Sequence, residues 1–193
     1  LVKDNRDYLI TQQANQRYSP SEFVLIAFRP ESGSIFSRET FSIVQDISSQ
    51  VAKLERVESV RSILNVPIFT GLESLSTDIT PESLTWESQQ YSSAEMERKL
   101  AAHPLYEGLL INDRQTALAM QVVFKPNPEL EKLQAEIVGI KSNLLSRELT
   151  DEEEKQLETL QAKQDRINKQ LEQVRAEEID RIREIVQAHD GAG

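Results

Sequence analysis

Residues 104–124, PLYEGLLINDRQTALAMQVVF, decide how this chain is read. Gly108 to Ile111 and Thr116 to Phe124 are two runs of strand composition, separated by the polar Asn112-Asp113-Arg114-Gln115. That is the pattern of a β-hairpin, and Asn and Asp tolerate the left-handed backbone a tight turn asks for. Beyond Phe124, Lys125-Pro126-Asn127-Pro128 leads straight into a long, charge-rich helical pattern. A sheet element that feeds a helical arm divides the chain into a mixed body and an appendage.

Upstream of the hairpin the pattern alternates between strand and helix. Asp4 to Gln16 is polar and reads as a short helix capped by Asp4 or Asn5, broken at Ser19-Pro20-Ser21. Phe23 to Phe28, FVLIAF, is a continuous apolar run between breakers, which predicts a central strand buried on both faces. Arg29 to Ser34 is a loop. Ser37 then caps a helix to about Glu55 whose Phe41, Val44, Ile47, Val51 and Leu54 form one apolar face. Val57 to Phe69 reads as a strand ending near Pro67, so strand, helix and strand make a split β-α-β unit. Thr70 to Tyr91 is a Ser/Thr/Glu-rich surface loop in which Trp86 serves as a packing anchor. Within it, Thr80-Pro81-Glu82 has the cap and first-position proline of one helical turn. Ser92-Ser93-Ala94-Glu95 is a capping box that opens a helix ending before His103-Pro104. The body is therefore an α+β arrangement, helices over an antiparallel-rich sheet.

Downstream, Leu130, Leu133, Ile137, Ile140 and Leu144 repeat at spacings of three and four, a coiled-coil seam. A second capping box, Thr150-Asp151-Glu152-Glu153, restarts the pattern, which continues through Leu157, Leu160, Gln164, Ile167, Leu171 and Val174. Two such helices on a short link fold back as an antiparallel hairpin, and a first helix of about 20 residues reaches roughly 30 Å. Gln164 is a register-setting polar residue. After Val174 the phase slips: continuing the seam would bury Glu178 and Arg181, whereas the apolar residues are Ile179, Ile182, Ile185 and Val186. The expected organisation is a body over 1–126, a coiled-coil hairpin arm over 127–174, and a C-terminal helix over 175–193 that packs back on the body.

Composition narrows the function. A net charge of −10 opposes nucleic acid and anionic membrane surfaces. With no cysteine there is neither a disulfide nor a thiolate site. No stretch approaches the roughly 20 apolar residues of a membrane helix. The abrupt start at Leu1 and the Gly191-Ala192-Gly193 end suggest a soluble piece of a longer protein. His103 and His189 read as surface histidines, no glycine pattern cradles phosphate, and no serine sits in a nucleophile elbow. Asp151 to Glu154 suit the positive end of a helix dipole rather than a cation. Nothing singles out catalytic, cofactor-binding or metal-ligating residues, so an enzyme is not expected. Leu144, Leu145 and Leu149 exceed what the seam needs. They are the candidate partner contacts, weighed against ordinary packing at a hairpin tip.

Taken in order, Arg17 to Pro30 (RYSPSEFVLIAFRP), Phe36-Ser37-Arg38-Glu39, Val57 to Pro67 (VESVRSILNVP) and Pro104 to Leu110 (PLYEGLL) resemble one family. It is the extracytoplasmic domain of resistance–nodulation–division (RND) superfamily exporters, of the branch akin to mycobacterial large membrane proteins. The resemblance covers most of 1–126, and Ile179 to His189 looks like the helix that precedes a return to the membrane. It implies a porter-type domain of ferredoxin-like βαβ topology with an inserted coiled-coil hairpin, on the periplasmic side of the inner membrane. The implied whole is a proton-driven exporter of hydrophobic or amphiphilic compounds, including lipids. The partners would be the rest of that transporter and, through the arm, other subunits or periplasmic proteins. A stand-alone coiled-coil adaptor with no transport role is the alternative.

Overall fold

The computed structural model describes residues 9–13, 22–69, 80–101, 103 and 106–190. It is an α+β chain with a four-stranded sheet in the order β1-β2-β4-β3, formed by β1 (Leu9–Gln13), β2 (Phe23–Phe28), β3 (Val57–Arg61) and β4 (Leu118–Phe124). The helices are α1 (Arg38–Val51), α2 (Trp86–Gln89), α3 (Ser93–Leu100), α4 (Pro128–Ser142) and α5 (Asp151–Asp190). The chain divides into two compact units, one of 1–125 with 184–193 and one of 126–183.

In the first unit, β4 pairs antiparallel with both β2 and β3, so β2 and β3 run parallel with β4 between them. The helix joining β2 to β3 is α1. Ser37 caps it by accepting the Thr40 amide at 3.1 Å, and Phe41, Val44, Ile47 and Val51 are buried from it. They meet a sheet face made of Val24, Ile26 and Phe28 of β2, Leu118, Met120, Val122 and Phe124 of β4, and Val57 and Val60 of β3. Each such side chain contributes about 1.5–3 kcal/mol by leaving water, which makes this layer the source of the unit's stability.

Four expectations about this unit need correction. Residues 9–13 of the expected N-terminal helix form strand β1, paired with β2 from Leu9↔Ala27 to Gln13↔Phe23. The rest of that helix lies outside the described residues. The main chain of β2 has an edge to satisfy, and main-chain pairing outweighs a helical propensity that no apolar stripe supports. β2 is central as expected but not buried on both faces: Val24, Ile26 and Phe28 are buried while Phe23, Leu25 and Ala27 are half-buried. Its neighbours are antiparallel, and such sheets need cover on one face only.

The strand from Val57 stops at Arg61 rather than near Pro67. The Asn65 carboxamide ends it, accepting the Ser62 amide at 2.9 Å and donating to the Val60 carbonyl at 2.6 Å. Ile63, Leu64 and Ile68 remain buried in the turn that follows. Finally, Gly108 to Ile111 is not a hairpin strand. The Tyr106 carbonyl accepts the amides of Leu109, Leu110 and Ile111, winding the segment into turns, and Gly108 sits at φ 79°, where a side chain would be strained. Only Ile111 bridges to Leu118. The Asn112 side-chain oxygen closes the Asn112–Gln115 turn by accepting the Thr116 and Ala117 amides at 2.8 Å each, and the left-handed residue in it is Gln115 at φ 53°, not the Asn or Asp that the composition suggested.

Between β3 and α3, Pro81–Leu84 forms a 3-10 turn and Thr85 caps α2. Trp86 packs edge-on to Phe41 at 5.4 Å and donates from its indole to the Tyr91 carbonyl at 3.0 Å. It is a packing residue. The Ser92–Glu95 capping box forms in full and starts α3.

In the second unit, Asn127 caps α4 and Pro128 takes its first turn. Leu133 and Ile137 of α4 pack with Leu160 of α5, flanked by Ile140, Leu157 and Ile167. The seam is therefore occupied over its middle, while its expected ends, Leu144 and Val174, are exposed. After the phase slip, Ile182 and Val186 are buried as expected, yet so are Arg175 and Glu178. Those two form an ion pair one helical turn apart. A reading that assigns every charge to solvent overlooks that adjacent opposite charges can go inside together.

Candidate functional site

Among the described residues, one place in each unit combines exposed apolar side chains with a braced backbone. The first is the connection between α4 and α5. Asn143–Leu145 is a 3-10 turn, and it carries Leu144 and Leu145 off the helical path at 56% and 92% exposure. Leu149, the third expected contact, is half-buried. The connection is firmly held. Arg147 grips the Glu153 carboxylate with both arms of its guanidinium at 2.7 Å each. The same carboxylate accepts from the Thr150 amide at 2.9 Å and the Asn143 carboxamide at 3.0 Å, and Thr150 Oγ1 accepts the Glu153 amide. The Arg147 hydrogen bonds foremost, and then the Thr150 amide, lower the Glu153 pKa to about 2. The tip is thus a braced turn with two leucines held in water.

The second place is a cleft of about 380 Å³ in the first unit, lined by Arg61, Asn65, Val66, Pro67, Tyr106, Leu109, Leu110 and Gln121. Arg61 and Gln121 are register partners across β3 and β4, so both side chains rise from the sheet face opposite the core. Two of the polar lining groups are committed internally. Asn65 holds its turn, and the Tyr106 hydroxyl donates to the Pro67 carbonyl at 2.5 Å. Burial raises the Tyr106 pKa above its usual value, so the phenol stays protonated and keeps that bond at neutral pH. Leu109 stands at the cleft with 47% of its surface exposed.

Neither histidine is the surface residue the sequence suggests. His103 is buried, stacked on Tyr106 at 4.8 Å, with its Nε2 3.0 Å from the Phe69 carbonyl. His189, near the end of α5, has Nε2 3.0 Å from Asp46 Oδ2 of α1 and Nδ1 3.0 Å from the Ile185 carbonyl. Both positions are structural: each ring nitrogen recorded has a protein partner close to it. Among the described residues, no three His, Asp or Glu side chains gather as metal ligands would. None of the described helices is long and apolar enough to cross a membrane.

The tip leucines were legible because they outnumber what the seam needs. The cleft was not, because it joins residues from three separate segments, and no local pattern links Arg61 to Tyr106 or Gln121. Comparison with family models, with curated proteins and with solved structures finds no match for this chain.

Proposed function

We propose that the chain is an extracytoplasmic domain of a proton-driven RND-type exporter of hydrophobic or amphiphilic compounds, lipids among them. In this reading the first unit is a porter-type body of ferredoxin-like βαβ kind. The second unit is an antiparallel coiled-coil arm whose tip, Leu144, Leu145 and Leu149, contacts other subunits or periplasmic proteins. The domain shapes the substrate path and makes protein contacts, and performs no chemistry. The observation that carries the reading is the sheet, in which β2, α1 and β3 form a β-α-β unit split by β4. The resemblance implies a β-α-β unit, and β2, the start of α1 and β3 fall within segments 17–30, 36–39 and 57–67 that carry it, which supports the reading. The parent reading frame tests it: several apolar helices of about 20 residues just upstream of Leu1 and downstream of Gly193 are expected. A frame that starts at Leu1 overturns it.

One observation favours the second reading, a stand-alone adaptor. A braced turn exposing Leu145 at 92% suits docking whether or not transport is involved. The same frame separates the two, since an adaptor needs no flanking membrane helices.

A further inference from the structure

We propose that the cleft beside the end of β3 binds an anionic amphiphile of the fatty-carboxylate class, its head on Arg61 and Gln121 and its chain along Val66, Pro67 and Leu109. The inference stands on the cleft alone and does not depend on the exporter reading. Its volume of about 380 Å³ falls in the range of small-molecule sites, roughly 300–1,000 Å³, which are mostly apolar with a few converging polar groups. The walls here have that composition, and they are already braced: Asn65 and Tyr106 spend their hydrogen bonds on the Val60 and Pro67 carbonyls and the Ser62 amide. Little ordering is then left for a ligand to impose.

The polar groups left over are Arg61 and Gln121. Neither side chain has a hydrogen-bond or ion-pair partner among the described residues. Their direct pairing across β3 and β4 sets a guanidinium beside a carboxamide on one face. A guanidinium fork matches the two oxygens of a carboxylate, and a neighbouring amide N–H adds a third donor. A lone surface arginine would ordinarily just be hydrated. What distinguishes Arg61 is the apolar wall next to it, with Leu109 left 47% exposed while the other described large apolar residues of the unit are buried or half-buried. The net charge of −10 works against any anion at long range, but beyond about 8 Å that field is screened at physiological salt. Recognition therefore rests on the short contact to Arg61.

The experiment uses the full chain and dodecanoate below its micelle threshold, followed by calorimetry and amide chemical shifts. Expected is saturable one-to-one binding, with shifts at Arg61, Leu109 and Gln121. Arg61→Gln should weaken it about tenfold, the worth of one charge-assisted hydrogen bond, with an unchanged thermal melt. Leu109→Ser should weaken it as well, and dodecyltrimethylammonium should leave the same amides unmoved. The proposal is overturned if dodecanoate does not saturate, if its shifts fall elsewhere, if Arg61→Gln binds it undiminished, or if the cationic amphiphile competes equally.

Discussion

The two units of this chain are held together by different means. In the first, Val24, Ile26, Val44, Ile47, Met120 and Val122 are wholly shut off from water, and they come from elements far apart in sequence. In the second, the most protected seam residues, Leu133, Ile137 and Leu160, still keep 6–7% of their surface exposed. Apart from Arg175, Glu178 and Ile182, which are buried near its end, the rest of that unit relies on short-range devices: the Asn127 cap, the Thr150–Glu153 box and the Arg147 fork. Burial in depth makes a unit stable, whereas caps and a thin seam make one that forms from local sequence. The first unit is where stability resides, and the second is where apolar surface can be left over for other uses.

The contrast fails if core truncations cost the same in both units. Ile26→Ala should destabilise the first unit by about 2–5 kcal/mol, because a sealed layer cannot close over the cavity. Chemical denaturation followed by the fluorescence of Trp86, which packs on Phe41 within the same layer, reads that loss. Ile137→Ala should cost about 2 kcal/mol, the low end of the same range. Hydrogen exchange should place its effect between 128 and 171 and leave β2 and β4 protected. An effect spread over both units would mean that they do not melt separately.

Acid offers a gentler probe of the arm. The Glu153 pKa, lowered to about 2, lies below the roughly 4.3 of an unfolded glutamate. Its contribution is accordingly complete above about pH 4.3 and fades as pH falls through the folded value. Amide exchange at Thr150 and Glu153 should quicken across that window, and Glu153→Gln should show the quickened exchange at neutral pH with no further acid dependence. The smallest effect is expected at the tip itself. Leu144→Ser with Leu145→Ser should change stability by no more than about 0.5 kcal/mol, so a clear loss in the thermal melt would show that these leucines pack rather than wait.

The parts of the fold legible in the sequence are those with a period. α1, α4 and α5 announced themselves through apolar residues three and four apart, and β2 and β4 through runs bounded by breakers. What stayed hidden depends on single atoms or distant partners. The Asn65 side chain that ends β3, the Tyr106 carbonyl that gathers three amides, and the pairing of polar residues 9–13 with β2 leave no periodic trace. The candidate sites divide the same way. An excess of leucine at one turn is visible in one line of sequence, while a guanidinium set beside a glutamine sixty positions on exists only once the sheet has chosen its register.

The short strand β1 has a consequence for handling the protein. β2 reads FVLIAF, six residues of high strand preference without charge or proline, the composition of segments that stack into fibrils when an edge is bare. β1 occupies that edge with a sequence far more polar, LITQQ. Trimming the chain to a start after Gln13 would uncover it, and such a product should turn cloudy and bind amyloid dyes on storage while the chain that keeps β1 stays clear.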